Sequence, residues 1–488
     1  MRALLRRAAL TTGRGLTLGS LFDQLAILHG DRRVAEEEGG DAISYADARD
    51  LVARWSGAIF ATVPRGARVV VALPNGYHQL LACVAVARAG AIPVPVNDRM
   101  SADEIEHVMV DSEAHLIVRS VDELLGQDEL HEPVATGRAE VAAIFYTSGT
   151  TGRPKGARLT HGALLGSLGP ATVWPSRLRR DEAVVGLPVA HIMGFAVLTG
   201  LAVAGIPVYV LPRFDATAVL DALEQRRATM FVGVPAMYRM LLEAGAADRD
   251  LRSVRVWGSG ADAMPPELAR AFQQMGASVT LPLIGTHVGE ALFVEGWGMV
   301  ETGGAAVARV GLPFVGGWAW PLPGYHVRVE NPDEDGVGEL LVRGPGVLES
   351  YHGDPDATAE VLDDGWLRTG DLARRGPMGS IAFAGRTKDV VKSGGYSVFA
   401  AEVERVLEEH LDVAEAAVIG MPDERLGEVP IAAVRLRSGA TATSDEIIDF
   451  AFERLATYKV PRRVLIVAEL PRGGTGKVQK DRLRALVI

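Results

Sequence analysis

Residues 146–156 read Tyr-Thr-Ser-Gly-Thr-Thr-Gly-Arg-Pro-Lys-Gly and follow directly on the apolar run 141–145. Hydroxyls, glycines and one lysine in so short a space are the chemistry of a loop closing around phosphate. Glycines let backbone N–H groups approach an anion, Ser and Thr add donors, and an ammonium adds a compact positive charge. A flexible Gly/Ser/Thr turn has the same composition. It is not a Walker A loop, because Pro154 stands where that motif needs its second glycine and Gly156 follows Lys155. The segment 473–477, Gly-Gly-Thr-Gly-Lys, fails the same comparison, with Pro471 at the first glycine and Val478 after the lysine.

Outward from the loop, apolar strand-like runs alternate with helical patterns: 68–73, the helical 77–89, 92–96, 115–118, 141–145, 183–187, 208–211, 229–232 and 253–257. Such alternation predicts an α/β fold of parallel sheets covered by helices. An acidic, glycine-bearing turn at 331–338 introduces a strand at 339–342 and a β-rich segment reaching about residue 384. Gly385 then marks a boundary, giving domains 1–384 and 385–488. The second is a small α+β domain: helix 402–410, strands 414–419 and 431–435, helix 445–458 and a basic helix after Lys477.

Composition narrows the function. At 488 residues the chain exceeds one compact core, and a net charge of −11 argues against a nucleic-acid partner. The single cysteine, Cys83, lies in an apolar stretch, which fits a core thiol and a reduced, cytoplasmic compartment. The first ten residues are basic but lack the sustained apolar run of a signal peptide. The stretch 185–212 carries no Asp, Glu, Lys or Arg. Its prolines, glycines and His191 read as a buried helix–strand pair rather than a membrane span, which leaves peripheral membrane contact at most. Only six of the 50 basic residues are lysines (155, 388, 392, 459, 477 and 480). In a chain that otherwise uses arginine, a retained lysine is a candidate for a site that needs the ammonium itself.

Further motifs accompany the loop: Gly298-Met299-Val300-Glu301, Leu367-Arg368-Thr369-Gly370-Asp371, Gly385-Arg386-Thr387-Lys388-Asp389, Ser393-Gly394-Gly395-Tyr396-Ser397 and Pro471 through Lys477. In this order and spacing they resemble the acyl-adenylate-forming superfamily over about residues 20–488, most closely its acyl-CoA synthetase (AMP-dependent fatty acid ligase) branch. The resemblance implies that the small C-terminal domain is mobile. It also implies that ATP, Mg2+ and CoA are used, with a small-molecule carboxylic acid as the other substrate.

What the resemblance implies for single residues follows the demands of the chemistry. A carboxylate attacking the α-phosphorus of ATP is anion against anion, so the protein must screen repulsion and hold the line of attack. Thr147, Ser148, Gly149, Thr150, Thr151 and Gly152, with Lys155, would hold the β- and γ-phosphates, and Glu301 would help place Mg2+. Asp371 would accept the ribose hydroxyls and Arg386 would add a second contact; without the motif, Asp371 reads as a solvated turn residue. Gly260, Ala261 and Asp262, in the segment after the apolar run, resemble the adenine-lining stretch. Trp297, beside Gly298, is the aromatic candidate for the other face of the ring, or else a core tryptophan. Lys477 resembles the adenylation lysine. A unit charge pair at ~4 Å and an effective dielectric of ~20 is worth ~4 kcal/mol, about a thousandfold in rate if realised only in the transition state. Lys388 matches the hinge of the mobile domain, and Ser393, Gly394 and Gly395 would line the CoA thiol's path.

For the acyl group, His191 resembles the residue flanking the acyl pocket, although a histidine on an apolar helix is often structural. Val232 and Gly285 would add apolar or spacious walls. No charged side chain stands in 187–198 or 231–236, which points to an uncharged acid, with medium or longer fatty acids ahead of aromatic ones. Arg239, just beyond, is expected at the surface; turned inward it would instead pair the far end of a dicarboxylate. Val300, Ser397, Ala400 and Gly473 depart from the usual threonine, asparagine, proline and threonine, and extra residues around 280–295 precede Trp297. Two alternatives follow from these features: an acyl-AMP ligase that loads a carrier-protein phosphopantetheine, and a nucleotide-binding protein with residual activity.

Overall fold

The apolar runs become short strands because a few Val, Ala or Ile residues suffice to cross a sheet once before glycine or proline ends the run. The computed structural model describes residues 16–147, 154–166, 168, 171, 180–280, 287–311, 317–393, 396–423, 425–473 and 478–487. The chain gathers into two compact units, Met1–His326 with Arg343–Leu367 and Val327–Val342 with Arg368–Ile488.

In the first unit, nine strands form one sheet in the order Trp320–Pro321, Gly304–Val310, Leu292–Met299, Val256–Gly260, Met230–Gly233, Ala183–Val185, Val208–Val210, Arg33–Glu37 and Ala42–Ser44. The six from Leu292–Met299 to Arg33–Glu37 run parallel, and the outer pairings are antiparallel. A parallel three-stranded sheet (Ile92–Pro95, Arg68–Val71, Leu116–Val118) and an antiparallel one (Ser350–Tyr351, Gly156–Thr160, Val141–Tyr146) complete its β structure apart from short pieces. Helix Tyr77–Arg88 is buried along almost its whole length, Cys83 included, and burial pushes that thiol's pKa up: it is a core residue.

The uncharged stretch 185–212 forms helix Ile192–Ala204 and strand Val208–Val210, and among the described residues no helix is long and apolar enough to cross a membrane. The helix buries Ile192, Phe195, Leu198 and Val203, each side chain contributing about 1.5–3 kcal/mol. It ends where Gly205 turns left-handed at φ 70°. The strand expected at 253–257 instead spans Val256–Gly260, so Ser259 and Gly260 are strand residues rather than loop. Pairing with Met230–Gly233 on one side and Leu292–Met299 on the other overrides the local glycine preference for turns.

In the second unit, strands Val337–Arg343, Trp366–Arg375 and Ile381–Arg386 lie beside a second sheet ordered Tyr396–Phe399, Val390–Ser393, Gly427–Leu436 and Val413–Asp423, with Arg463–Ile466 parallel to Gly427–Leu436. The segments 327–342 and 368–384 gather with the residues beyond 385 because Ile381–Arg386 pairs with Trp366–Arg375 and carries helix Ala400–Glu408. Val391, Val398, Val403, Leu407, Val418, Val434 and Ile447 form a separate core. The helix expected over 445–458 spans only Ser444–Phe452, and the chain leaves it by turns.

Candidate active site

Three parallel strands of the first unit end side by side, with Gly233 opposite Ser259 and Gly260 opposite Gly296. The carboxyl ends of parallel strands are where open α/β sheets bind ligands. Close packing sets the sequence there. A Cβ on Gly260 would lie 2.8 Å from the Gly296 carbonyl oxygen and one on Gly298 only 1.9 Å from that of Gly304, so neither position admits a side chain. Ala261 is held at φ 68°, a conformation costing a non-glycine residue roughly 1–2 kcal/mol, in the segment expected to line adenine. Beside it Asp262 is exposed, with Oδ1 accepting from the Ala263 N–H at 2.8 Å. Trp297 is half-buried, just before a bulge in the pairing with Gly304–Val310.

Val300, Glu301 and Thr302 form a short turn that the Thr302 hydroxyl fixes. It accepts from the Met299 N–H at 2.9 Å and donates to the Gly304 carbonyl at 2.7 Å. Glu301 is buried, and its Oε1 accepts from the Tyr351 hydroxyl at 2.7 Å. Burial, and then the Glu301 carboxylate, push the Tyr351 phenol well above the ordinary tyrosine range, so it remains a donor at neutral pH. Strand Ser350–Tyr351 reaches this position by pairing with Arg158 and Ala157.

The phosphate-type loop is the tip of the hairpin Val141–Tyr146 and Gly156–Thr160. The Thr147 N–H donates to the Lys155 carbonyl at 2.9 Å and the Lys155 N–H to the Thr147 hydroxyl at 3.3 Å, closing the loop's base. Ser148, Gly149, Thr150, Thr151 and Gly152 lie outside the described residues. The Lys155 ammonium stands 5.5 Å from the centre of the Tyr351 ring and 3.6 Å from an Asp354 carboxylate oxygen. Asp354 also caps helix Pro355–Val361 through the Ala357 N–H at 2.9 Å. The structure therefore joins Lys155 and Glu301, both expected, through Tyr351 and sets Asp354 beside Lys155; sequence reasoning missed Tyr351 and Asp354. An Asp-Pro helix start closely following a tyrosine was the available signal.

On the acyl side, His191 caps helix Ile192–Ala204, its Nδ1 accepting from the Met193 N–H at 3.2 Å. The Met193 thioether lies 3.5 Å from where a Gly260 side chain would begin, and Ala196 lies 3.2 Å from the same point on Gly304. The helix's first turn thus adjoins the strand ends that carry the nucleotide motifs. Val232 is half-buried on the strand beside Val256–Gly260, Arg239 is half-buried as well, and Gly285 lies outside the described residues.

In the second unit, Asp371 is buried and faces Arg386 across two paired strands, forming an ion pair in which the Arg386 Nε lies 2.8 Å from Asp371 Oδ1. The Thr369 hydroxyl accepts from the Asp371 N–H at 3.1 Å. Lys388 occupies the short turn Thr387–Asp389, where burial, then the Arg386 guanidinium, pull its ammonium pKa below the ordinary lysine range. Lys480 joins that turn to helix Ala400–Glu408 through Asp389 at 3.6 Å and Glu404 at 2.8 Å. Burial opposes its charge, but the two carboxylates outweigh burial and raise its pKa. Ser393 is buried at the end of a hairpin opposite Tyr396, while Gly394, Gly395 and Lys477 lie outside the described residues.

The pattern of the AMP-binding enzyme family matches residues 22–352, and that of the AMP-binding enzyme C-terminal domain matches residues 402–477. The chain belongs to this adenylate-forming family. It is 34% identical to a feruloyl-CoA synthase of Amycolatopsis sp (92% of this chain, 95% of that one). It is 32% identical to an indoleacetate–CoA ligase of Aromatoleum aromaticum (94% and 97%) and 28% identical to the long-chain-fatty-acid–CoA ligase FadD13 of Mycobacterium tuberculosis (91% and 92%). Among solved structures, ATP-bound MatB from Rhodopseudomonas palustris superposes with TM-score 0.85 at 28% identity (96% and 99% covered). The o-succinylbenzoate CoA synthetase of Bacillus subtilis with ATP and magnesium ion does so with 0.81 at 27% (95% and 99%).

ATP, Mg2+ and CoA are the set that adenylate-forming CoA ligases use. The donors here fit a nucleotide-borne Mg2+: among the described residues no cluster of three or more His, Cys, Asp or Glu could hold a metal alone, while Glu301 offers one buried carboxylate. Mg2+ bound mainly by phosphates and water needs no more than one or two such protein ligands.

Proposed function

We propose that the protein activates an uncharged carboxylic acid with ATP to an acyl-adenylate and passes the acyl group to CoA, releasing AMP and pyrophosphate. The observation that carries this reading is the joining of Lys155 and Glu301 through Tyr351 beside the strand ends that hold Gly260 and Ala261. Lys155 and the backbone of 148–152 would hold the β- and γ-phosphates. Glu301 would hold Mg2+, which supplies charge neutralisation on those phosphates. Asp371 would take the ribose hydroxyls, Lys477 would stabilise charge growing on the α-phosphate and its bridging oxygen, and Lys388 would be the hinge about which the residues beyond 384 turn to present Ser393, Gly394 and Gly395 to the thiol.

The acid is read from residues 187–198 and 231–236, which hold no Asp, Glu, Lys or Arg. A second charge buried there would lack a partner at a cost of several kcal/mol. Fatty acids of medium or greater length fit the apolar helix start. Aromatic acids are the second reading, favoured by the names of the 34% and 32% identical relatives. The same names support free CoA over a carrier protein as acceptor. An acid panel, read as pyrophosphate release and by mass spectrometry of the thioester with free CoA, tests both points. A preference for malonate or an amino acid overturns the pocket reading, and pyrophosphate release without a CoA thioester overturns the acceptor.

A further inference from the structure

Glu301 is a carboxylate buried at a turn, and a buried carboxylate that must present one oxygen to a cation needs its other oxygen held. Tyr351 does this with a 2.7 Å hydrogen bond to Oε1. The same ring stands 5.5 Å from the Lys155 ammonium, so one side chain touches both the expected metal carboxylate and the expected phosphate lysine. The ring is itself fixed: Tyr351 is buried, its N–H donates to the Thr358 hydroxyl at 2.9 Å, and its strand pairs with residues 157–158. From the other side of Glu301, its own carbonyl accepts from the Leu348 N–H at 2.8 Å, tying the turn to the chain that leads into Tyr351.

We infer that Tyr351 is a positioning residue for adenylation, aiming Glu301 at the nucleotide-borne metal while holding Lys155 in place through its ring. This rests on the function proposed above. Tyr351 does not touch the reacting atoms; it acts through Glu301 and Lys155. Because acyl-AMP carries no pyrophosphate, the thioester step is indifferent to it.

The test is Tyr351→Phe in the full chain, which removes the hydroxyl and leaves the ring beneath Lys155. A hydrogen bond to a charged group is worth about a tenfold effect or somewhat more. The Mg2+ concentration for half-maximal pyrophosphate release should therefore rise about tenfold, and Mn2+ binding in the presence of a non-hydrolysable ATP analogue, measured by electron paramagnetic resonance, should weaken by a similar factor. Thioester formation from supplied acyl-AMP should stay within about twofold. Glu301→Gln and the double variant complete the cycle: once Glu301 is gone, adding Tyr351→Phe should change Mn2+ binding no further. Additive losses, equal losses in both half-reactions, or an unchanged metal response in Tyr351→Phe alone overturn the proposal. If Glu301→Gln itself leaves Mn2+ binding intact, the assignment of the metal to Glu301 fails first and takes the proposal with it.

Discussion

Glu301 and Asp371 are both buried carboxylates in family motifs, yet the protein holds them in opposite ways. Glu301 accepts from a neutral phenol, and among the described residues no ion pair reaches it; Asp371 is paired with the Arg386 guanidinium. A neutral donor orients a carboxylate and leaves its charge intact for a cation. A guanidinium compensates the charge and leaves an acceptor suited to neutral hydroxyls. The difference matches a metal role for the first and a ribose role for the second.

The largest effect belongs to neither carboxylate but to the lysine expected to drive adenylation. Lys477→Ala should lower acyl-AMP formation about a thousandfold while leaving thioester formation from supplied acyl-AMP nearly unchanged, since ~4 kcal/mol is at stake only in the first step. Stopped-flow measurement of the two half-reactions decides it; equal losses in both would sink the division of labour.

Acid should weaken the first unit through one buried imidazole. His161, at the start of the helix after the phosphate hairpin, is buried, and its Nδ1 accepts from the Leu18 N–H at 3.0 Å. Burial lowers its pKa to about 4, with Glu140 opposing. The folded state therefore keeps it neutral while the unfolded chain protonates near 6.5, so its contribution is complete above the unfolded pKa and is lost as pH falls from about 6.5 to about 4, on the order of 3 kcal/mol in all. Urea unfolding at pH 7 and pH 5 should register the early part of this loss, and His161→Gln should flatten it. A slope that persists in the variant places the sensitivity elsewhere.

Removing each carboxylate's charge in turn comes next. Glu301→Gln should slow adenylation about 10–100-fold and be partly relieved by high Mg2+. Asp371→Asn, which leaves Arg386 uncompensated, should raise the ATP requirement by a similar factor with no change in Mg2+ dependence. If both variants respond to Mg2+ alike, the contrast between neutral and cationic partners carries no functional meaning.

Legibility divides along the same line. Residues whose expected chemistry demands a type at a fixed spacing, such as Lys155, Glu301, Asp371 and Arg386, could be nominated from the sequence because glycines and charges rarely recur in that order by chance. The alternation of apolar runs with helical patterns likewise revealed the α/β class. Tyr351 and Asp354 were not readable: a tyrosine on a two-residue strand has no periodicity, and its role arises only when that strand pairs with residues 157–158. The end of the strand expected at 253–257 was placed too early for the same reason, since flanking strands and not local preference make Ser259 and Gly260 extended. The acid is least legible of all, because apolar side chains such as Met193 and Val232, proposed as its walls, would specify the absence of charge and little about shape.

The smallest expected effect tests the turn that carries Glu301. Val300 is buried among the main core residues, where the family usually has threonine, so no hydroxyl is available at that point. Val300→Thr keeps the shape and adds a donor beside the site expected for the AMP phosphate. Adenylation should therefore speed up, or the ATP requirement fall, by one hydrogen bond, ~0.5–1.5 kcal/mol. The hydroxyl has a cost in the nucleotide-free protein, because it enters a packed apolar surface, and a stability loss of about 1 kcal/mol should appear in thermal unfolding. Nucleotide should recover part of that loss, since only the loaded site offers the hydroxyl a phosphate partner. A slower half-reaction, or a stability loss that ATP does not reduce, would mean that the core has repacked around valine and that the Glu301 turn no longer presents residue 300 to the nucleotide.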